Sequence, residues 1–108
     1  MDLEVRMQGV NGADELRSYV ERRIRLAFDS FRGALLWVRV HLEDQNGPEG
    51  GMDRSCRITS VTRSGMTVVV EEVDADQHAA ASRAAGRAAA MLRRALDRAR
   101  TAPLWNLS

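Results

Sequence analysis

Arginine is the only basic residue type in this 108-residue chain besides two histidines, and four of the arginines recur at a telling spacing. Arg83, Arg87, Arg94 and Arg98, placed on a helix at 100° per residue, fall within about 60° of one another and line up along roughly 22 Å. A planar guanidinium donates two parallel hydrogen bonds to a single phosphate or carboxylate. Asp97 is the sole acid in the same stretch, so the helix has almost no carboxylates of its own to neutralise the row. Like charges on one face repel, and a polyanion relieves that repulsion, so the row fits a phosphate-tracking surface driven by counterion release. A plain solvated helix face would carry the same pattern, and genomic codon bias accounts equally well for the absence of lysine.

Other chemistry finds little support. His41 and His78 have no serine or cysteine nearby in sequence to form a nucleophile pair. Glu71 and Glu72 are adjacent on a strand-like run, which sends them to opposite faces and makes them no general acid–base pair. Cys56 is the only cysteine, so no intrachain disulfide can form, and its place in a strand predicts a small buried hydrophobe. Gly47, Gly50 and Gly51 lack the lysine and the following helix of a phosphate loop. No HExxH, CxxC or EF-hand spacing occurs, so the expectation is no enzyme, no metal, no cofactor and no small-molecule substrate.

The elements that position the arginines follow from periodicity. Leu3, Val5 and Met7 alternate with Glu4, Arg6 and Gln8 as in a half-buried strand. Asn11 and Gly12 offer a turn and cap, and Leu16, Val20, Ile24, Ala27, Phe28 and Phe31 then predict a helix from Ala13 to Phe31, stopped by Gly33. The second strand places Leu36, Val38, Val40 and Leu42 on one face, with Leu35, Trp37, Arg39 and His41 on the other. Asp44 to Asp53 reads as a flexible loop. Cys56, Ile58 and Ser60 form a third strand, Arg63 to Gly65 a turn, and Thr67 to Val73 a fourth. Asp74 and Gln77 have the form of a capping box for an alanine-rich helix reaching about Arg100, whose apolar side gathers Ala81, Ala85, Ala88, Leu92, Ala95, Leu96 and Ala99.

The order β-α-β-β-β-α predicts an α+β domain: strands one and two parallel, strands two to four an antiparallel meander, and both helices on one face. The wetter face would carry Arg6, Trp37, Arg39, His41 and Arg57. One domain over residues 1–102 and an apolar tail over 103–108 are expected. No apolar run reaches the roughly 20 residues of a membrane span, and the N-terminus lacks the pattern of a signal peptide, so the expected location is the cytoplasm. Net charge is +1, but residues 1–76 hold ten arginines against fourteen acids, whereas residues 77–108 hold six against one. The last third is a basic element on a mildly acidic body.

Two segments carry a resemblance: LRSYVERRI (Leu16 to Ile24) and TVVVEEVDADQHAAASRAAGRAAAMLRRALDR (Thr67 to Arg98). With the element order they resemble the ribosome hibernation promoting factors, also called ribosome-associated inhibitor A or sigma-54 modulation proteins, over residues 2–100. Where that family usually has an aspartate, an aromatic residue, alanine and an Ile-Asp pair, this chain has Asp76, His78, Ala79, Ala81 and Ser82. The chain looks like a short form, without the C-terminal dimerisation domain of the long forms. The resemblance implies a sheet with two helices on one face, similar to a double-stranded-RNA-binding domain. It also implies docking on the small ribosomal subunit, over the sites for messenger and transfer RNA, where family members halt translation and protect idle ribosomes under stress. Basic residues of the two helices would meet ribosomal RNA: by position Arg22 and Arg25 on the first, then Arg83, Arg87, Arg94 and Arg98 on the last.

The expected function is therefore a ribosome-associated RNA-binding translation inhibitor with bare, solvent-facing guanidinium groups on its last helix. The alternative is a protein-interaction or self-association module on the same fold, with weak or no RNA binding, forming a homodimer through the sheet or the tail.

Overall fold

A computed structural model of the chain describes residues 1–10, 12–44 and 54–101, with backbone alone for the last two. Its elements are β1 (Asp2–Gln8), α1 (Ala13–Phe28), a 3₁₀ turn over Asp29–Ala34, β2 (Leu35–Asp44), β3 (Arg54–Thr62), β4 (Thr67–Asp74) and α2 (Gln77–Thr101). The four strands form one mixed sheet in the order β1-β2-β3-β4, with β1 and β2 parallel and the other pairs antiparallel. The α+β class, the element order and the pairing all agree with the periodicity of the sequence. The expected 45–53 loop and the 103–108 tail lie outside the described residues.

One core holds the molecule together. Val38, Val40, Leu42, Cys56, Ile58, Val68 and Val70 rise from one sheet face and meet Leu16, Val20, Ile24 and Phe28 of α1. They also meet Ala80, Ala81, Ala84, Ala85, Ala88, Ala89 and Leu92 of α2. Small alanine side chains let a helix axis approach a sheet closely, which is why an alanine-rich sequence suits the second helix. Across the inter-helix seam Arg23 of α1 donates to Ser82 of α2, from Nε to Oγ at 3.3 Å and from Nη2 to the carbonyl at 3.2 Å. The Tyr19 ring lies against His78, with centroids 4.7 Å apart. His78 is thus a packing contact of the seam, and burial pushes the Cys56 thiol up to about 12, which removes it as a nucleophile.

Three local expectations are corrected. The α-helix ends at Phe28, and Phe31 lies in the 3₁₀ turn with φ −132°, its ring 5.5 Å from that of Phe28 and beneath the Arg93 guanidinium at 5.8 Å. A residue three positions on stays on the same side in either helix type, so spacing alone could not separate them. In β2 the inward residue is Leu35, fully buried, while Leu36 is 45% exposed, because the register with β3 shifts between Leu35 and Trp37. An irregularity there resets the alternation, and Val38, Val40 and Leu42 then face inward as expected.

The third correction concerns the start of α2. The cap is Asp76, whose Oδ1 accepts from the His78 amide at 3.0 Å, while Gln77 is buried and donates to the Ser55 carbonyl at 2.8 Å. Asp74 instead accepts from the Asp76 amide at 2.8 Å, fixing the turn before the helix. At the same end of the sheet Gly9, with φ +72°, passes so close to Asp44 that a Cβ there would lie 2.8 Å from its carbonyl oxygen. Only glycine fits that crossing.

The packing generates a paired prediction. Leu92 is fully buried at the centre of the α2 face, so Leu92→Ala should lower the unfolding free energy by about 2–5 kcal/mol in urea titration. Ser60 Oγ is buried without a hydrogen-bond partner among the described residues, so Ser60→Ala should leave stability unchanged or raise it. A marked loss on that substitution would mean the hydroxyl has a partner.

Candidate nucleic-acid interface

Helix α2 has 25 residues and β4 has eight, so about 37 Å of helix doubles back over about 27 Å of strand. The helix therefore overruns the sheet: Ala95 and Leu96 are half-buried and Ala99 is exposed, which corrects their expected place in the apolar face. The overrun also divides the arginine row, because the acids of β4 are confined to the half of the strand nearest α2's start.

Arg83 and Arg87 lie above that acidic half. Arg83 Nε donates to Glu72 Oε1 at 3.1 Å, its Nη1 to Asp74 Oδ2 at 2.6 Å and its Nη2 to the Val73 carbonyl at 3.0 Å. Arg87 Nη1 donates to Glu72 Oε2 at 2.6 Å and to the Glu71 carbonyl at 3.4 Å. These two guanidinium groups are not bare, contrary to expectation. The sequence reading weighed only carboxylates within the helix, and the partners come from the strand before it. Glu71 and Glu72 do point to opposite faces: Glu71 pairs with Arg57 at 3.1 Å on the outer sheet face, and Glu72 turns toward the helix. The arginines remain about half exposed, at 47% and 55% of the side chain, while Glu72 and Asp74 are at 20% and 23%.

Arg94 and Arg98 lie beside the other half of β4, where Met66, Thr67 and Val68 offer no acid. With Met91 and Ala95 these residues line an open groove between strand and helix. Arg22 and Arg25 line a shallow depression on α1 with Ser18, Glu21, Leu26 and Asp29. The structure thus groups the six arginines as a clamped pair, a groove pair and an α1 pair. Arg22, Arg25 and Arg94 make no ion pair with any described residue, and Asp29 lies 3.9 Å from Arg32.

The outer sheet face differs. Arg6 and Arg39 both meet Glu4, Arg57 meets Glu71, His41 lies 3.8 Å from Glu43, and Arg39 stacks over Trp37 at 5.0 Å. Its charges are matched side by side, as suits a solvated sheet. Among the described residues no group of three His, Cys, Asp or Glu side chains could hold a metal ion.

Sequence reasoning missed Arg23 as the inter-helix tie and Glu72 and Asp74 as partners of the row. A signal existed for the acids. Two residues separate β4 from α2, so the helix must return over the strand's last residues, and Glu72 and Asp74 share the inward parity of Val68 and Val70.

The clamp has a pH signature. A hydrogen bond from Arg83, helped by Arg87, holds the Glu72 carboxyl below the usual carboxylate range, and Arg83 does the same for Asp74. Groups with lowered folded-state pKa contribute stability above their unfolded values and lose it as pH falls through the folded ones. The stability difference between wild type and Glu72→Gln/Asp74→Asn should therefore be complete at neutral pH and fade as pH drops below about 4. Urea titrations of both proteins across that range measure it, and a difference independent of pH would refute the assignment.

The family model for sigma 54 modulation protein / S30EA ribosomal protein matches residues 3–100. No curated protein sequence matches the chain. Among solved structures, the N-terminal domain of Protein Y from Thermus thermophilus is 26% identical, with a TM-score of 0.70 over 87% of this chain and 98% of that one. A ribosomal subunit interface protein from Coxiella burnetii shares the fold at 12% identity, with a TM-score of 0.73 over 90% of this chain and 99% of that one. A match spanning both helices and all four strands shows that the chain belongs to the sigma-54 modulation protein / S30EA ribosomal protein family.

Proposed function

We propose that this protein is a ribosome-associated RNA-binding factor of the cytoplasm that docks on the small ribosomal subunit and inhibits translation in idle ribosomes. The observation that carries the reading is the family match over residues 3–100, supported by similarity to a ribosomal subunit interface protein. The arginines of the helical layer supply the means. Arg22, Arg25 and Arg94 have no ion pair with a described residue, and each can present a fork to a phosphate. Arg98 extends the α2 groove, and Arg83 and Arg87 can join once they exchange their carboxylate partners for phosphate. The helical layer is the better RNA surface because the arginines of the outer sheet face are already matched by Glu4 and Glu71. The role proposed for the protein is occupancy of a site, with no catalytic step and no cofactor.

A second reading, self-association, draws on Leu36, Val69 and Val73, which are 45%, 53% and 41% exposed on the sheet. Light scattering over a concentration series separates it: a monomer throughout removes it.

Arg25 and Arg94 are the cleanest probes of the first reading, since reversing them disturbs no described ion pair. Arg25→Glu/Arg94→Glu should abolish sedimentation with 30S subunits at low salt while the circular dichroism spectrum is unchanged. Each phosphate contact removed should flatten the slope of log affinity against log salt by about 1. Undiminished co-sedimentation would take both residues out of the interface.

A further inference from the structure

Glu72 stands in an unusual relation to the arginine row. Its two carboxylate oxygens are divided between arginines one helical turn apart, Oε1 to Arg83 and Oε2 to Arg87, and Asp74 takes a second N–H of Arg83. A planar oxyanion bridging two guanidinium groups occupies them as a phosphate would. The arginines also donate to the Val73 and Glu71 carbonyls of the edge strand, so the pair is drawn onto the sheet from two directions.

We propose that Glu72 and Asp74 are specificity determinants for RNA: an internal anion that holds Arg83 and Arg87 until a phosphate backbone able to engage both displaces it. The inference rests on the RNA-binding reading above and goes beyond it, since it makes two acids of β4 govern which RNA the arginines accept.

Three observations support it. The acids lie in the last half of an edge strand, beyond Val70, the last residue of β4 in the apolar core, and they continue its inward parity. Both arginines keep about half of their side-chain surface in water, so an incoming phosphate can reach them before the carboxylates let go. Ion pairs this exposed are weakly held and screened by salt, which makes exchange feasible without unfolding. Arg94, without an ion pair to a described residue, and Arg98, both further along the same helix, form the adjoining half of the row, so a strand seated there would arrive with its next phosphates close to the clamped pair. A lone or sparse anion gains little by replacing two carboxylates. A folded RNA that already contacts the groove and the α1 arginines replaces them within one complex, where the effective concentration of phosphate is high.

The variant Glu72→Gln/Asp74→Asn removes both charges while keeping side-chain shape and the Asp74 oxygen that caps the turn. Its binding to 30S subunits and to a short single-stranded oligouridylate should be measured beside wild type across salt concentration. The oligouridylate should bind the variant about tenfold more tightly, with a salt slope steeper by about 1.4, about 0.7 for each released arginine on a single strand. Affinity for 30S subunits should rise less, so discrimination between the two RNAs falls. Equal affinities and slopes in both proteins would overturn the proposal and leave Arg83 and Arg87 as a structural clamp. Weaker binding by a variant with an unchanged circular dichroism spectrum would overturn it too, by showing that the acids aim the arginines at RNA.

If the double variant does not fold, Glu72→Gln alone releases a shared contact of both arginines and is read by the same slopes. Failure of this inference is distinct from failure of the broader reading. Wild-type binding that Arg25→Glu/Arg94→Glu abolishes and Glu72→Gln/Asp74→Asn leaves untouched rejects the competitor alone. Absence of 30S binding by wild type and variant alike rejects both.

Discussion

The two-residue link between β4 and α2 constrains everything that follows it. Ala75 and Asp76 allow no excursion, so the helix must turn back over the strand it has just left, with Asp74 and Asp76 holding the reversal through the amides of Asp76 and His78. Once the helix is aimed along the sheet, its alanine side is the one that can lie close, and Ala80, Ala84, Ala85, Ala88 and Leu92 are all fully buried. The flank that carries the arginine row then overhangs the β4 edge. That overhang, and not a separate binding element, is what places four arginines along the margin of the sheet. It also caps the carbonyls of Val73 and Glu71, which an uncovered edge strand would offer to another chain.

Much of the fold was legible because its periods are clean. Val38, Val40 and Leu42 in β2, Cys56, Ile58 and Ser60 in β3, and Leu16, Val20, Ile24 and Phe28 in α1 each face the core as their spacing requires. The failures have particular causes. Leu35 and Leu36 are identical in hydrophobicity, so the residue inside was decided by a shift in strand register that no pattern encodes. Phe31 satisfied a helical stripe from within a 3₁₀ turn, because a spacing of three suits both. Asp74 and Gln77 had the right separation for mutual capping, yet each found a better partner across the fold, in Arg83 and the Ser55 carbonyl.

The arginine row shows the same limit at the level of function. A helical wheel displays a helix's neighbours on itself, and on that view Asp97 was the sole acid. Charges nine to fifteen residues upstream in sequence become first neighbours once the chain reverses, and this separation is too long for helix spacing and too short to look like tertiary structure. Arg94 has no such neighbour among the described residues, because the first half of β4, near Met66, Thr67 and Val68, is uncharged. A composition split of −4 and +5 therefore overstates the freely available positive charge of the last third, since Glu72 and Asp74 belong to the acidic portion and act on the basic one.

A near-neutral chain need not be a poor ligand for a polyanion when its charges are sorted by face. On the outer side of the sheet Glu4 sits beside Arg6 and Arg39, and Glu71 beside Arg57, so acid and base cancel within a few ångströms and leave little field beyond the surface. On the helical side Arg22, Arg25 and Arg94 stand without such partners among the described residues. Counterions condense on nucleic acid wherever phosphates are dense, and their release depends on how many cationic groups reach those phosphates, not on the sum over the whole protein. Arginines paired on the outer sheet face, against Arg22, Arg25 and Arg94 without described ion pairs on the helical one, give the molecule a sidedness that net charge conceals, and the sheet, by separating the two faces, is what maintains it.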